Sequence, residues 1–195
     1  MCAALVMSPA REPFAVGEDQ ALIRRAQAGD AQAFRLVLEA HYDRMYRLAY
    51  GCTGSRDEAQ DVVQEACLKV ARQFRSYRHE APLAGWLCSI TLNVVRDRAR
   101  ARARQPETDA IGEVELVSAE PDPERQAQGN EIWRALRRLP ETVREAVLLV
   151  CHHGFSHKEA AVVLGCAEGT VSWRVSEARR LLAQQFPELA GHDRA

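Results

Sequence analysis

The sequence predicts an all-α protein, with two small helical bundles joined by a flexible acidic linker. Apolar residues recur at the spacing of amphipathic helices through most of the chain, and no alternating strand pattern occurs. Aromatic residues make up only 6% of the sequence while Ala and Arg are frequent, a composition that favours helix over sheet. Between residues 105 and 124 the periodicity breaks in a stretch rich in acids and proline, which is typical of a linker.

The chain has 195 residues, enough for one mid-sized domain or two small ones, and the breaks in periodicity divide it into four segments. The predicted segments are a disordered tail over 1–17, an N-terminal bundle over 18–104, the linker over 105–124 and a C-terminal bundle over 125–190. The first residues lack the length and basic start of a signal peptide, and no apolar run approaches the roughly 20 residues that span a membrane. These observations predict a cytoplasmic protein with no membrane segment.

The charges are segregated along the chain. The net charge is −1, from 26 Lys and Arg against 27 Asp and Glu, and this average argues weakly against nucleic-acid binding. However, five arginines alternate from Arg96 to Arg104, whereas the stretch from Glu107 to Glu124 is acidic. A local basic patch steers phosphate binding whatever the total charge, so nucleic acid stays a candidate partner.

Capping residues and breakers indicate the helices of the N-terminal bundle. The tail contains the breakers Pro9, Pro13 and Gly17, and a first helix is predicted from about Glu18 to Ala28. Asp30 can cap a long second helix that runs to about Tyr50 and is followed by a turn over 51–54. The apolar positions of this second helix fall on one face: Phe34, Val37, Leu38, Met45 and Leu48.

Two further helices complete the predicted N-terminal bundle. Ser55 and Glu58 have the S-x-x-E spacing of a capping box, which opens a third helix that runs to about Phe74. A loop over 75–81 leads to Pro82, which suits the first turn of a fourth helix that runs into the arginines. The buried positions predicted for these two helices are Val63, Ala66, Val70, Phe74, Leu83, Trp86, Leu87, Ile90 and Val94.

The C-terminal bundle carries the spacing of a helix-turn-helix. Periodicity returns near Arg125, a stripe of Ile132, Leu136 and Leu139 ends at Pro140, and Thr142 to Cys151 form a short apolar helix. Ser156 and Glu159 then form a second capping box, Gly165 supplies a left-handed turn, and a new helix begins at Thr170. This is the plan of a supporting helix and a recognition helix that bind DNA, although a plain pair of helices with solvated charges is the alternative.

Helical spacing assigns the faces of the recognition helix. Val171, Val175, Ala178 and Leu182 are predicted to point into the bundle. The residues predicted to point outward, where base edges would lie, are Ser172, Trp173, Ser176, Glu177 and Arg180. Thr170, Arg174 and Arg179 lie near its ends or edges, where they could reach phosphates.

The cysteines and histidines give no signal for a cofactor. The six cysteines form no CxxC pair and most lie in apolar helical runs, so they are predicted to be reduced and buried. A cluster near the second capping box invites a zinc interpretation, but its spacing matches no finger or ribbon pattern, and no metal is predicted. The cluster comprises Cys151, His152, His153, His157 and Cys166.

Four stretches of this sequence resemble the extracytoplasmic-function (ECF) sigma factors of bacterial RNA polymerase. The run RDEAQDVVQEACLKV, residues 56–70, and the run GWLCSITLNVVRDRAR, residues 85–100, are similar to the two motifs of sigma region 2. The run IWRALRRLPETVREAVLL, residues 132–149, and the helix-turn-helix over 154–182 are similar to sigma region 4. Luminescence-type regulators share only the last of these. The match covers most of residues 18–186 without an intervening domain, which is typical of the ECF group.

The resemblance implies a role for each surface. The third helix is expected to bind core RNA polymerase through Asp57, Asp61, Gln64, Glu65 and Leu68, and an exposed Leu among acids independently suits a partner surface. The minus-ten promoter element is expected to contact Tyr77, Arg78, His79, Trp86, Asn93, Arg96 and Arg100. The minus-thirty-five element is expected to contact Thr170, Ser172, Trp173, Arg174, Ser176, Glu177, Arg179 and Arg180. Trp86 at helical spacing with Leu83 and Ile90 is equally consistent with a core position.

The sequence departs from the family on the recognition helix. Family members usually carry basic residues near positions 172 and 177 and often Ser at 173, whereas this chain has Ser172, Glu177 and Trp173. We therefore expect a promoter sequence that differs from the common one, and Trp173 could instead face a partner protein. Members of the group are commonly held inactive by an anti-sigma factor, which the resemblance adds as an expected partner.

Two other classes of function compete with the sigma factor. A stand-alone helix-turn-helix regulator would use residues 18–104 as a sensor, but such a sensor needs neither the acidic face around Leu68 nor the arginine-rich fourth helix. An enzyme, such as a metal hydrolase built on the His and Cys cluster, lacks a nucleophile motif, a Gly-rich loop and ligand spacing. We therefore predict a protein that is not an enzyme.

Overall fold

A computed structural model describes residues 16–79, 81–104 and 133–185, and within those ranges the chain is helical without any strand. It forms two helical bundles, as the sequence predicts. The predicted linker over 105–124 and the part of the predicted tail over 1–15 lie outside the described residues.

The N-terminal bundle contains four α-helices and one 3₁₀ turn. They are α1 (Val16–Gln27), α2 (Ala31–Thr53), α3 (Arg56–Gln73), the 3₁₀ turn Phe74–Ser76, and α4 (Leu83–Arg104). The predicted stripes meet in one core, where Met45, Leu48, Val63 and Leu87 are buried. Asp30 caps α2 as predicted, because its Oδ1 accepts a hydrogen bond from the Ala33 N–H at 3.0 Å.

Two predicted helix boundaries are wrong. Gly17, predicted as a breaker within a disordered tail, lies inside α1, which begins at Val16. Gly51, predicted to start a turn, is a buried residue within α2, which continues to Thr53. The left-handed residue is Gly54, at φ 73°, whose N–H donates to the Tyr50 carbonyl and ends the helix.

The first predicted capping box is only half formed. The Ser55 hydroxyl accepts a hydrogen bond from the Glu58 N–H at 3.4 Å, so Ser55 caps α3. The Glu58 carboxylate, which a capping box would direct back to the Ser55 N–H, instead pairs with Arg102 of α4 at 2.6 Å. An arginine 44 residues further along the chain therefore replaces the local partner that the sequence predicts.

The C-terminal bundle contains the helix-turn-helix. Its elements are α5 (133–138), α6 (Glu141–Val147), a π-helical turn (Leu148–His152), α7 (His157–Leu164) and α8 (Glu168–Gln185). The predicted apolar helix over 142–151 is thus an α-helix that widens into a π turn. Gly165 adopts φ 65° and supplies the left-handed turn after α7, as predicted.

The two bundles pack against each other. Helix α4 of the N-terminal bundle lies against α7, and α2 lies against α6 and the π turn. The contact includes buried side chains from both bundles, such as Leu83, Leu148 and Phe155, which join a single cluster of buried residues. This arrangement determines which of the predicted functional residues face solvent.

Candidate nucleic-acid and partner-binding surfaces

The acidic face of α3 is exposed as its spacing predicts. We define this α3 face by the five predicted residues Asp57, Asp61, Gln64, Glu65 and Leu68. Leu68 is 60% exposed, which is unusual for a leucine beside charged residues. The opposite side of α3 is buried against the core through Val62, Val63, Ala66 and Val70. An apolar residue surrounded by polar groups has the composition of a protein-binding site.

Basic residues within the bundle partly neutralise the α3 face. Arg98 lies 2.9 Å from the Asp61 carboxylate and 3.7 Å from Glu65. Lys69 lies 3.2 Å from both Glu65 and Asp97, and it has a raised pKa because the hydrogen bonds and charges of the two carboxylates outweigh desolvation. The carboxylates therefore contribute less net negative charge than the sequence suggests, and Leu68 is the most distinctive feature of the face.

The loop after α3 and the start of α4 enclose a small cavity. It has a volume of about 270 Å³ and is lined by Ser76, Tyr77, Arg78, Ala81, Gly85, Trp86, Ser89, Val162 and Val163. Trp86 is half-buried and packs on Tyr77 and Phe74, with ring centroids 5.2 Å and 6.1 Å away. Trp86 therefore contacts the core and also lines an open cavity.

Contacts from α1 hold this loop in place. The Gln27 side-chain amide donates to the Tyr77 carbonyl at 2.7 Å, and the Tyr77 hydroxyl donates to the Ala81 carbonyl at 2.6 Å. His79 adopts φ 58°, a left-handed conformation that is uncommon outside glycine, although Asn, Asp and His accept it more often than other residues. Its Nε2 lies 3.3 Å from the Gln27 Oε1, so Gln27 braces both sides of the loop.

Four arginines of α4, Arg96, Arg98, Arg100 and Arg102, have carboxylate partners in this conformation. Arg98 and Arg102 pair with carboxylates of α3, and Arg100 pairs with Asp97 one turn back at 2.6 Å. Arg96 forms two hydrogen bonds with Glu145 of the other bundle, at 2.8 Å and 2.6 Å. The predicted phosphate-binding run thus behaves here as a series of ion pairs, whereas Asn93 is exposed on the same helix.

The recognition helix presents the predicted face to solvent. Val171, Val175, Ala178 and Leu182 are buried, while Trp173 is 62% exposed. Glu177 and Arg180 form a bidentate pair at 2.8 Å and 2.7 Å, so each has its charge compensated within α8. The Ser172 hydroxyl lies 2.9 Å from His157 Nδ1 and donates to the Glu168 carbonyl, which fixes its orientation.

The outer residues of α8 differ in their exposure. Ser176 and Arg179 are exposed, while Thr170 and Arg174 are half-buried near the turn. The Arg174 Nη1 lies 3.8 Å from the Cys166 sulfur. The face that a DNA groove would meet therefore contains one large apolar ring, one compensated ion pair, the exposed Arg179 and several hydroxyl groups.

Comparison with known proteins places this chain in one family. The sigma-70 region 2 profile matches residues 37–105, and the sigma-70 region 4 profile matches residues 129–182. The ECF RNA polymerase sigma factor SigM of Mycobacterium tuberculosis is 36% identical over 169 residues, which cover 85% of this chain and 83% of SigM. This chain belongs to the ECF sigma factors. As a sigma factor it is a transcription-initiation factor, in agreement with the resemblance found in its motifs.

Other relatives of this sigma factor cover more than four fifths of the chain. The ECF RNA polymerase sigma-E factor of Escherichia coli is 30% identical over 183 residues, covering 88% of this chain and 95% of the relative. The sigma factor RpoE of Bartonella quintana, solved in complex with the anti-sigma factor NepR, superposes with a TM-score of 0.64 at 28% identity. That alignment covers 84% of this sigma factor and all of the Bartonella chain. CnrH, solved with the cytosolic domain of CnrY, shares the fold with a TM-score of 0.68 at 23% identity, over 87% of this chain and 97% of CnrH.

The described part of this sigma factor contains neither a membrane-spanning helix nor a cluster of metal ligands. No described helix has the length and hydropathy to cross a bilayer. Among the described residues, no three His, Cys, Asp or Glu side chains converge as a metal site requires. Cys52 and Cys88 are buried, and burial raises the pKa of each thiol to about 12. Both thiols are therefore protonated at neutral pH and poor nucleophiles.

Sequence patterns missed several residues that shape these surfaces. Gln27, which braces the loop between α3 and α4, lies 50 residues before the Tyr77 carbonyl it binds, and Glu145 binds Arg96 from 49 residues away. His157 was named only as part of a possible metal cluster, yet it contacts Ser172 on the recognition helix. Helical periodicity identifies which residues share a face, but it carries no signal for these long-range partners.

The capping box of α7 gives a pH-dependent prediction. Ser156 Oγ accepts from the Glu159 N–H, and the Glu159 carboxylate accepts from Ser156 N–H at 2.8 Å and from its hydroxyl at 2.7 Å. These bonds to Ser156 hold the pKa of Glu159 below its usual 4.5. A depressed carboxyl pKa stabilises the fold above the unfolded pKa, and this contribution is lost as pH falls through the folded pKa.

We expect Ser156→Ala to lower the free energy of unfolding by about 1 kcal/mol at pH 7. We expect Glu159→Gln to be destabilising at pH 7, with a difference from the wild type that shrinks as pH falls below about 4.5. Urea unfolding from pH 7 to pH 3.5 measures both, and Glu168→Gln in the first turn of α8 is the control. A Glu159→Gln difference that does not change with pH would contradict this account of the cap.

Proposed function

We propose that this chain directs core RNA polymerase to promoters through three surfaces, and that it does so by binding rather than as an enzyme. The α3 face would bind core polymerase, the loop over 76–79 with α4 would bind the minus-ten element, and α8 would read the minus-thirty-five element. The observation that carries the proposal is the exposed Leu68 on an acidic face, within a chain whose other bundle is a helix-turn-helix. The protein would act in the cytoplasm, where the polymerase and the promoters are.

The composition of the α3 face supports a polymerase contact. Leu68 supplies an apolar anchor, and Asp61, Gln64 and Glu65 surround it with polar groups that water can solvate before binding. The partial neutralisation of Asp61 by Arg98 lowers the desolvation cost of burying that carboxylate. The partner would therefore be a protein surface with an apolar recess and a basic rim.

The cavity beside Trp86 supports a role in holding an unstacked base. A flipped base loses stacking of a few kcal/mol, which a pocket lined by aromatic rings can restore. Tyr77 and Trp86 line the cavity, and Arg78, which also lines it, is exposed and could reach a phosphate. Asn93 and Arg100 are exposed further along α4, where the backbone of the same strand would run.

The pairings of the α4 arginines set a condition on minus-ten binding. To bind a phosphate, Arg100 must release Asp97. Because the Arg100–Asp97 pair is exposed, it contributes little free energy, and breaking it costs little. Arg96 must give up Glu145 of the other bundle. Binding of a phosphate at Arg96 therefore requires the two bundles to separate locally.

The recognition helix would select a sequence by apolar contact more than by charge. Trp173 projects from the middle of the exposed face, where it can reach a thymine methyl group or a sugar. Glu177 can accept from a cytosine amino group only after loosening its pair with Arg180. Thr170, Arg174 and Arg179 would orient the helix on phosphates, with Ser172 and Ser176 close to the base edges.

We expect Trp173→Ala to weaken binding of the selected promoter by roughly tenfold and to relax the preference at one base pair. Arg179→Ala is the matched comparison, because loss of a phosphate contact weakens all sequences alike and reduces the salt dependence of binding by about one ion. Polymerase holoenzyme binding to a library of promoter variants, at two salt concentrations, separates the two outcomes. A Trp173→Ala protein with unchanged sequence preference would place this ring outside the DNA contact.

An anti-sigma factor is the expected regulator. The Bartonella sigma factor with a TM-score of 0.64 was solved with the anti-sigma factor NepR, and its alignment covers 84% of this chain. We propose a partner of the same class for this chain, which would compete with core polymerase for surfaces such as the α3 face. Co-purification from the source cell with an α3-face variant as comparison would identify it.

Run-off transcription tests the whole proposal. Purified core RNA polymerase is incubated with fragments of the source genome, with this protein, without it, and with an Asp61→Ala/Leu68→Ala double variant. We expect discrete transcripts that require the wild-type protein and disappear with the double variant. Binding of duplex DNA by the protein alone, with no stimulation of core polymerase, would instead indicate a stand-alone regulator.

A further inference from the structure

The Ser172 hydroxyl on the outer face of the recognition helix is held by groups from both helices of the helix-turn-helix. Its oxygen lies 2.9 Å from His157 Nδ1 and 3.2 Å from the Glu168 carbonyl oxygen. His157 is the first residue of α7, and Glu168 is the first residue of α8, one turn before Ser172. The two helices therefore fix the position of one small polar group on the face that would meet DNA.

These contacts occupy the single hydroxyl hydrogen of Ser172. A serine hydroxyl has one hydrogen to donate and two lone pairs that accept. The Glu168 carbonyl can only accept, so Ser172 donates to it and accepts from the Nδ1–H of His157. If the hydroxyl turned towards His157 instead, Nδ1 would be the acceptor and would bind the same hydrogen. In either arrangement the hydrogen stays within the protein, and the oxygen offers DNA only a lone pair.

The surrounding structure keeps the contact in place. A complete capping box fixes the first turn of α7, where His157 lies. Helices α7 and α8 pack against each other, and their apolar sides are fully buried at Ala160 and Val171. Because this packing holds the helices together, the bond between His157 and Ser172 is formed before DNA arrives. A group ordered in advance loses less entropy on binding than a mobile one.

The position of Ser172 suits contact with a base edge. In a helix-turn-helix, the N-terminal residues of the recognition helix are those that contact bases in the major groove. Ser172 lies near the start of α8, which begins at Glu168, and it is half-buried beside the exposed Trp173. Its oxygen is therefore held from the protein side and accessible from the DNA side.

The four bases differ in what they offer to an acceptor. In the major groove, adenine and cytosine present an amino group, at N6 and N4, that donates a hydrogen bond. Guanine presents O6 and N7, and thymine presents O4, all of which are acceptors. A serine with an uncommitted hydrogen can pair with any of the four bases. An oxygen without a hydrogen to donate can pair only with adenine or cytosine.

We propose that His157 is a positioning residue that makes Ser172 selective, so that the base facing Ser172 in the minus-thirty-five element must carry an amino group. This inference rests on the proposed function, because it names the bases that α8 reads. The selected base is adenine or cytosine on the strand that Ser172 approaches. With guanine or thymine, two acceptors face each other and a hydrogen bond is lost, which corresponds to a preference of roughly tenfold.

Binding of polymerase holoenzyme to a library of promoter variants measures the preference at every base pair. Ser172→Ala removes the accepting oxygen. His157→Phe keeps a ring of similar size without a nitrogen, whereas His157→Asn keeps an amide N–H at the place of Nδ1. Ser176→Ala is the matched control, because Ser176 is exposed one turn further along the same face and forms no hydrogen bond among the described residues.

We expect one base pair at which the wild type binds adenine and cytosine roughly tenfold better than guanine and thymine. Ser172→Ala should abolish this preference. His157→Phe should reduce it to about threefold or less, because a hydroxyl released from His157 can turn and donate to guanine or thymine. His157→Asn and Ser176→Ala should keep it. The preference is a ratio between two DNA sequences, so a variant that folds less completely does not change it.

A base analogue isolates the amino group. Purine in place of adenine at that position lacks only the N6 amino group, and it should weaken wild-type binding about fivefold more than it weakens binding of Ser172→Ala. A wild-type preference for guanine or thymine at the base pair that Ser172→Ala affects would overturn the proposal. So would an unchanged preference in Ser172→Ala or in His157→Phe. Failure of run-off transcription would instead refute the sigma activity, and the same comparison would then be made with the full-length protein alone on duplex DNA.

Discussion

Truncation of Leu68 to alanine is expected to weaken binding of core RNA polymerase by about 2 kcal/mol or more, roughly thirtyfold in Kd. Leu68 is 60% exposed in the free protein, so its side chain has more apolar area to lose to a partner than its neighbours on α3. The same exposure means that the substitution leaves the free energy of unfolding within about 0.5 kcal/mol of the wild type. Competition binding to core polymerase, together with urea unfolding, measures both quantities.

Two control variants show whether the effect belongs to this face. Leu36→Ala removes a leucine that is 38% exposed on a different helix, α2, and is expected to leave polymerase affinity unchanged. Asp61→Asn removes a carboxylate that Arg98 already neutralises at 2.9 Å, so its effect is expected to be several-fold smaller than that of Leu68→Ala. An equal loss in the Leu68 and Leu36 variants would mean that the α3 face is not the polymerase contact.

The sequence was informative wherever a single helix determines the outcome. The inward stripe of the recognition helix, Val171 to Leu182, was predicted residue by residue because helical spacing alone decides which side chains share a face. Asp30 and Ser156 were predicted as caps for the same reason, since the group that each one satisfies lies three residues away. Helix faces and helix caps depend on residues that are close in the sequence, so a single sequence is sufficient to predict them.

The errors have a common physical origin in contacts between distant segments. Gly51 was assigned to a turn because glycine ends helices, but here it is helical and lies against Leu148 of the other bundle. Glu58 was expected to complete a capping box, but Arg102 competes for its carboxylate. In both cases a tertiary partner outweighs a local preference worth about 1 kcal/mol, and the spacing of residues along one helix contains no information about that partner.

The arginines of α4 illustrate the same limit at the candidate site. Alternating arginines predict a phosphate-binding stripe, and charge alone cannot distinguish that stripe from a set of ion pairs. The structure pairs Arg98 and Arg102 with α3 and Arg96 with Glu145. Because of these ion pairs, the arginines can bind a phosphate only in a conformation that releases them from their carboxylate partners. Neither composition nor periodicity indicates these pairs.

Removal of either partner of the Arg96–Glu145 pair should be among the most destabilising single substitutions in this protein, because the remaining charge is left buried without compensation. Glu145→Ala is expected to lower the free energy of unfolding by about 3 kcal/mol, because it leaves the Arg96 guanidinium without a partner in a partly buried position. Arg96→Ala is expected to cost at least as much, since the carboxylate it strands is 1% exposed. Urea unfolding monitored by circular dichroism provides these values.

The double variant Arg96→Ala/Glu145→Ala measures the interaction energy between the two side chains apart from the contacts that each makes with other residues. If the two groups act on each other, Arg96→Ala/Glu145→Ala should be more stable than the sum of the single losses predicts, with a coupling of about 2 kcal/mol. Arg35→Ala/Glu39→Ala, which removes an exposed i,i+4 pair on α2, should show a coupling of at most about 0.5 kcal/mol. Additive losses at Arg96 and Glu145 would mean that apolar packing, such as that of Gly51 against Leu148, rather than the ion pair, holds the two bundles together.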